Sequence, residues 1–145
     1  DRVSRACNTT VPDLIKIVIL CYNQYNEIPM TEPISLKTLL TNADARSEQQ
    51  VTLFALLNLG ILDSLTAGTI SATDAIRLFF HTENCLFVHQ ALRDQNADAI
   101  MSHGVQLPDL FDVLPPKEAQ REFQRELTTM RKICLLLLDE KQLAA

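Results

Sequence analysis

"SEQQVTLFALLNLGILDSLTAGTISATDAIRLFF", residues 47–80, carries the reading of the fold. After the polar first turn Ser47–Gln50, the run to Leu65 is apolar on nearly every side, and only Thr52 and Asn58 break it before Asp63. A helix without a polar face is one buried all round, so this stretch is expected to be the central helix. Gly60 lies in its apolar surface beside Leu53, Leu56 and Leu57. An interior glycine costs about 1 kcal/mol against alanine, so its expected role is to let another helix approach closely. Gly68 then supplies a left-handed cap that ends the helix. Ser71 begins the next one, with Asp74 at N3 as a variant capping box and Ile70 placed to staple against Ala75. A helix, a short loop and a second helix make antiparallel neighbours.

Composition agrees. The chain has 145 residues, 47% hydrophobic and 21% charged, which places it with ordinary globular domains large enough to bury a core. It has only 3 glycines, whereas sandwiches and barrels need many tight turns. The expected class is therefore all-α: a single-domain bundle of about five to six helices with a long amphipathic C-terminal helix.

The net charge of −5 is unevenly spread. Residues 1–29 sum to zero (3 − 3), residues 30–115 to −6 (4 − 10), and residues 116–145 to +1 (6 − 5). Such a balance repels phosphate backbones, so nucleic-acid binding would rest on the last helix alone. There Lys117, Arg121, Arg125, Arg131 and Lys132 alternate with glutamates, which reads as a salt-bridged face. Cys7, Cys21, Cys85 and Cys134 form no CxxC pair and are expected to be free thiols in a reducing cytoplasm. The apolar runs "IVILCY" (17–22) and "ICLLLL" (133–138) fall far short of the ~20 residues that span a bilayer. "LIKIVILC" resembles the apolar core of a signal peptide, but Lys16 interrupts it and no small-residue cleavage site follows.

Residues 1–29 are read as an N-terminal extension, and residues 30–145, which open on Met30, as the helical core domain. Within the extension, Thr10, Pro12 and Asp13 mark a helix start. Val11, Leu14, Ile15, Val18, Cys21, Tyr22 and Tyr25 then recur at helical spacing. The β-branched Ile17-Val18-Ile19 would suit a strand, but no other segment looks like its sheet partner.

"HTENCLFVH", residues 81–89, spaces His81, Cys85 and His89 one helical turn apart. An unbroken helix through this stretch would align the three as metal ligands, or Cys85 and His89 as nucleophile and base. It would also centre Glu83 on a stripe of Ile76, Phe79, Phe80 and Phe87, a poor arrangement for a charge. A new helix capped by Thr82 avoids this. It puts His81 in a turn and makes Cys85, Leu86, His89 and Leu92 the inner face. Packing is therefore preferred, with no metal, cofactor or catalytic residue expected. A small metal- or thiol-dependent enzyme using His81, Cys85 and His89 is the alternative.

Further on, "NADAIMSHG" reads as a short helix closed by Gly104, with His103 at its C-terminus, where the dipole favours a cation. Pro108 and Pro115-Pro116 bracket a turn or two of helix anchored by Leu107, Leu110, Phe111 and Leu114. The last helix carries a continuous stripe of Ala119, Phe123, Leu127, Met130, Cys134, Leu137 and Leu138, with Glu118–Arg121 and Glu122–Arg125 pairs on its solvent side. Leu135, Leu136 and Leu143 lie off that stripe and form the expected interface, because a second apolar patch asks for cover. The cover is either residues 11–26 of the same chain or another molecule. No phosphate loop, GxSxG or HExxH motif occurs. The expected function is that of a small non-catalytic, cytoplasmic protein acting through protein–protein contacts, as a homodimer or on a helical partner. A bacterial regulator of antitoxin type, with weak nucleic-acid contact through the last helix, is the second alternative.

Overall fold

The computed structural model describes residues 32–42 and 47–144, with side chains over 32–41 and 48–140. The helix expected within residues 11–26 and the boundary placed after residue 29 lie outside the described residues. All regular structure among the described residues is helical, as the glycine-poor composition implies. The order is α1 (Leu36–Asn42), α2 (Ser47–Thr66), α3 (Ala72–Leu78), α4 (Thr82–Phe87) running into a π-helical turn (Val88–Leu92), α5 (Gln95–Gln106), α6 (Asp109–Val113) and the long α7 (Pro116–Ala144).

Helix α7 is the keel. Ala119, Phe123, Leu127, Met130, Cys134 and Leu137 are all buried, one continuous stripe against α2 and α5. Burying a leucine- or phenylalanine-sized side chain contributes roughly 1.5–3 kcal/mol, so this stripe dominates the stability of the helix. Helices α2 and α7 run antiparallel: Asp63 meets Arg131 at 2.5 Å, while Leu65 and Thr66 lie beside Gln120 and Gln124. At the centre, Phe54 stacks on Phe79 (centroids 6.3 Å apart) and Phe79 meets Phe80 edge-on (5.1 Å).

The α2–α3 corner follows local chemistry. Gly68 has φ +76°, where a side chain would be strained. Ser71 accepts a hydrogen bond from the Asp74 N–H (3.0 Å), and the Asp74 carboxylate accepts one from the Ser71 N–H (3.1 Å). Those two bonds close the capping box.

Two expectations about glycine are reversed. Gly60 is exposed, and a Cβ added there would meet nothing within 4 Å, so it mediates no close approach. Gly104 does not close a helix. It is buried inside α5, where a Cβ would lie 2.5 Å from Cγ and Cε1 of Phe80, so the aromatic ring sits directly on the glycine backbone. Helix α2 is also not buried all round. Val51, Phe54, Ala55, Asn58, Leu62 and Leu65 face the core, whereas Leu53, Leu56 and Asp63 are exposed with Gly60. Leu53 and Leu56 on that side are apolar and exposed, and Asp63 there meets Arg131.

The helix break near residue 81 occurs as expected, but its cap and inner face differ. The N-cap is His81 rather than Thr82. The buried residues are Asn84, Val88 and Leu92, while Leu86 and His89 are exposed and Cys85 is half-buried. Asn84 sets this rotation. Its Oδ1 accepts from the Leu36 N–H (3.0 Å), and its Nδ2 donates to the carbonyls of Ile34 (2.9 Å) and Phe79 (2.8 Å). One amide thereby ties the segment before α1 to the α3–α4 corner, and its burial is matched by hydrogen bonds.

Candidate functional site

His81 is used up structurally. Its Nε2 lies 3.0 Å from the Ile34 carbonyl, which can only accept, so the ring carries its proton there. Nδ1 then accepts from the Asn84 N–H (3.4 Å). Neither nitrogen is left for a metal, so the aligned trio His81, Cys85 and His89 does not form. Among the described residues, no group of three or more His, Cys, Asp or Glu side chains is arranged to hold a metal ion. His103 pairs with Glu126 on α7, a link between α5 and α7 that sequence reasoning missed.

Cys85 and His89 do share a cleft, joined by Asp98 from α5. His89 Nδ1 lies 3.0 Å from Asp98 Oδ2. Burial, and then the negative charge of Asp98, push the Cys85 thiol above its ordinary value. That is the reverse of an activated nucleophile. Cys134 is more extreme: burial pushes its thiol up to about 12, although Arg131 opposes the shift.

Leu135 and Leu136 are 47% and 52% exposed, while Leu143 lies in the last turn of α7 with its side chain outside those described. Leu135 follows Arg131 by one turn and lies on the edge of α7 that meets α2. Leu136 points about 100° further round and belongs to the far flank. On α2, Leu56 precedes Asp63 by two turns on the corresponding edge. Because the helices are antiparallel, Leu56 comes level with Leu135 and the half-buried Leu138.

The α2/α7 seam is therefore polar at the Asp63–Arg131 pair and apolar beyond it. Leu56 (51% exposed) and Leu135 border it, Leu53 (37%) lies further round α2, and Gly60 between them leaves a flat spot with no side chain. The α2 half of this surface was missed because the helix was read as apolar on all sides. A signal existed: Gly60, Asp63 and Ser64 cluster on one side of the helical wheel.

The basic residues of α7 are partly engaged. Arg125 pairs with Glu122 (3.0 Å) and Arg131 with Asp63. Among the described residues no helix is long and apolar enough to cross a membrane. Comparison with family models, curated proteins and solved structures gives no match.

Proposed function

We propose that this chain is a non-catalytic interaction protein whose α2/α7 seam receives the apolar face of a helix, most simply from a second copy of itself. The observation that carries this reading is the run of exposed leucines on two adjacent helices, Leu53 and Leu56 on α2 and Leu135 on α7, around the bare backbone of Gly60. Exposed apolar surface gathered in one place, with an ion pair at its edge, is typical of contact surfaces. A two-fold pairing would bury the same leucines from both copies. The unpaired thiols of Cys85 and Cys134 fit a reducing compartment, which supports a cytoplasmic location.

Sedimentation velocity of the full chain tests the proposal. The parent should sediment as a dimer, and Leu56→Glu or Leu135→Glu should shift it to monomer without loss of helicity, since both sites are exposed. Unchanged mass in both variants would overturn the assignment. Leu136→Glu, on the far flank, should leave the mass unaltered.

A further inference from the structure

At the corner where α2 turns into α3, an open groove of about 550 Å³ lies against α6 and the first half of α7. Leu65, Ile70 and Phe123 form its buried apolar floor. Phe111 is 44% exposed and packs its ring on Phe123, with centroids 5.2 Å apart. Along α2 the groove lies beyond the Asp63–Arg131 pair from Leu56, so filling it does not require the α2/α7 seam to be occupied.

The groove has a negative character. Asp112 is its one charged lining residue among the described residues, and the exposed carboxylate has no ion-pair or hydrogen-bond partner among them. Helix α2 ends at Thr66, and Thr66, Ala67 and Gly68 line the groove, so the C-terminal end of its dipole, roughly half a negative charge, borders it. The start of α3 borders it too, but the Asp74 carboxylate accepts the Ser71 N–H there and offsets that positive end. No lysine, arginine or histidine among the described residues lines the groove. Arg77 is held by Asp74 and Arg131 by Asp63, both at 2.5 Å.

We propose that this groove receives a basic, apolar segment of a partner protein, which seats a leucine-sized side chain on Phe123 and sets an adjacent arginine between Asp112 and the Phe111 ring. An arginine suits both neighbours, because its planar guanidinium stacks on an aromatic face and pairs with a carboxylate. Small-molecule sites bury most of their ligand, and a groove this open does not, which favours a pair of side chains carried by a larger partner. A phosphate backbone is the wrong occupant, since Asp112 and the end of α2 both repel it.

Titration of the isotope-labelled full chain with the peptide acetyl-Ala-Leu-Arg-Leu-Ala-amide, followed by nuclear magnetic resonance, tests the proposal. The amides of Gly68, Thr73, Asp112, Gln120 and Gln124, all in the groove lining, should shift together along one binding curve. Citrulline in place of the peptide's arginine keeps the shape and removes the charge. It should weaken binding by about 3–30-fold, the combined effect of an exposed ion pair and an exposed cation–π contact. Glutamate at that position should abolish binding. Asp112→Asn and Phe111→Leu, both at exposed sites, should each weaken binding of the arginine peptide by about 2–5-fold. Absence of shifts at these amides, equal affinity for the arginine and citrulline peptides, or indifference to both variants would each overturn the proposal. So would shifts at the same amides on dilution without peptide, which would give the groove to a second copy of the chain.

Discussion

Replacing asparagine by leucine should have opposite effects at residues 58 and 84. The two side chains have the same number of heavy atoms and the same branching, so the substitution removes polarity while nearly keeping shape. Both asparagines are buried, at 0% and 1% exposure. Asn84 uses its amide fully, toward Leu36, Ile34 and Phe79. In Asn84→Leu the Leu36 N–H, fully buried at the first turn of α1 where no intrahelical acceptor exists, is orphaned, and the Phe79 carbonyl loses its bond. Ile34 keeps His81. A buried polar group left unpaired costs about 1–3 kcal/mol, so two such groups predict a loss of about 3 kcal/mol after relaxation.

Asn58 donates to the Phe54 carbonyl (3.0 Å), but its Oδ1 is buried without a partner. The Phe54 carbonyl also accepts the helical bond from residue 58, so Asn58→Leu orphans nothing. The change exchanges one hydrogen bond worth about 1 kcal/mol for relief of an unpaired oxygen, a net gain of about 1 kcal/mol. Urea unfolding followed by far-ultraviolet circular dichroism measures both. With a slope of about 1.5 kcal/mol/M, the midpoint should fall by about 2 M for Asn84→Leu and rise by about 0.7 M for Asn58→Leu. If Asn84→Leu unfolds within about 0.5 M of the parent, the anchoring role assigned to its amide is refuted.

The two helical glycines should diverge in the same assay. At protein concentrations where the chain is monomeric, Gly60→Ala should stabilise by about 0.5–1 kcal/mol, because the added Cβ meets nothing. Gly104→Ala should destabilise by about 1–3 kcal/mol as the methyl drives into the Phe80 ring. The Asp74 carboxylate is held below its ordinary value of 3.8 by the Ser71 N–H and then by Arg77. A depressed carboxylate contributes stability above its unfolded value and loses it as pH falls through the folded one. Asp74→Asn should therefore flatten the pH dependence of stability below about 4, and an unaltered acid limb would show that the capping box is energetically silent.

Local chemistry was legible. The Gly68 stop, the Ser71–Asp74 box and the break near His81 depend on residues within a few positions of one another. The α7 stripe was equally plain, because polar residues on the other faces of that helix give the apolar side a direction. On α2 that contrast was weak, and the helix was read as buried on every side. The cleft residue Asp98 was missed for another reason: it reaches His89 from a neighbouring helix, and spacing along one helix carries no trace of it.

By itself the sequence determined that helices are what form, and where α2 stops and α3 starts, since capping bonds, glycine conformations and helical periodicity act over a turn or two of chain. Only the tertiary structure decided which face of α2 is left uncovered, that Gly104 rather than Gly60 carries the close approach, and that Asn84 rather than Cys85 turns inward. Each of those outcomes depends on a partner distant in sequence, 48 residues away in the bond that the Leu36 N–H donates to Asn84. A side chain's burial is set by what the rest of the chain brings against it.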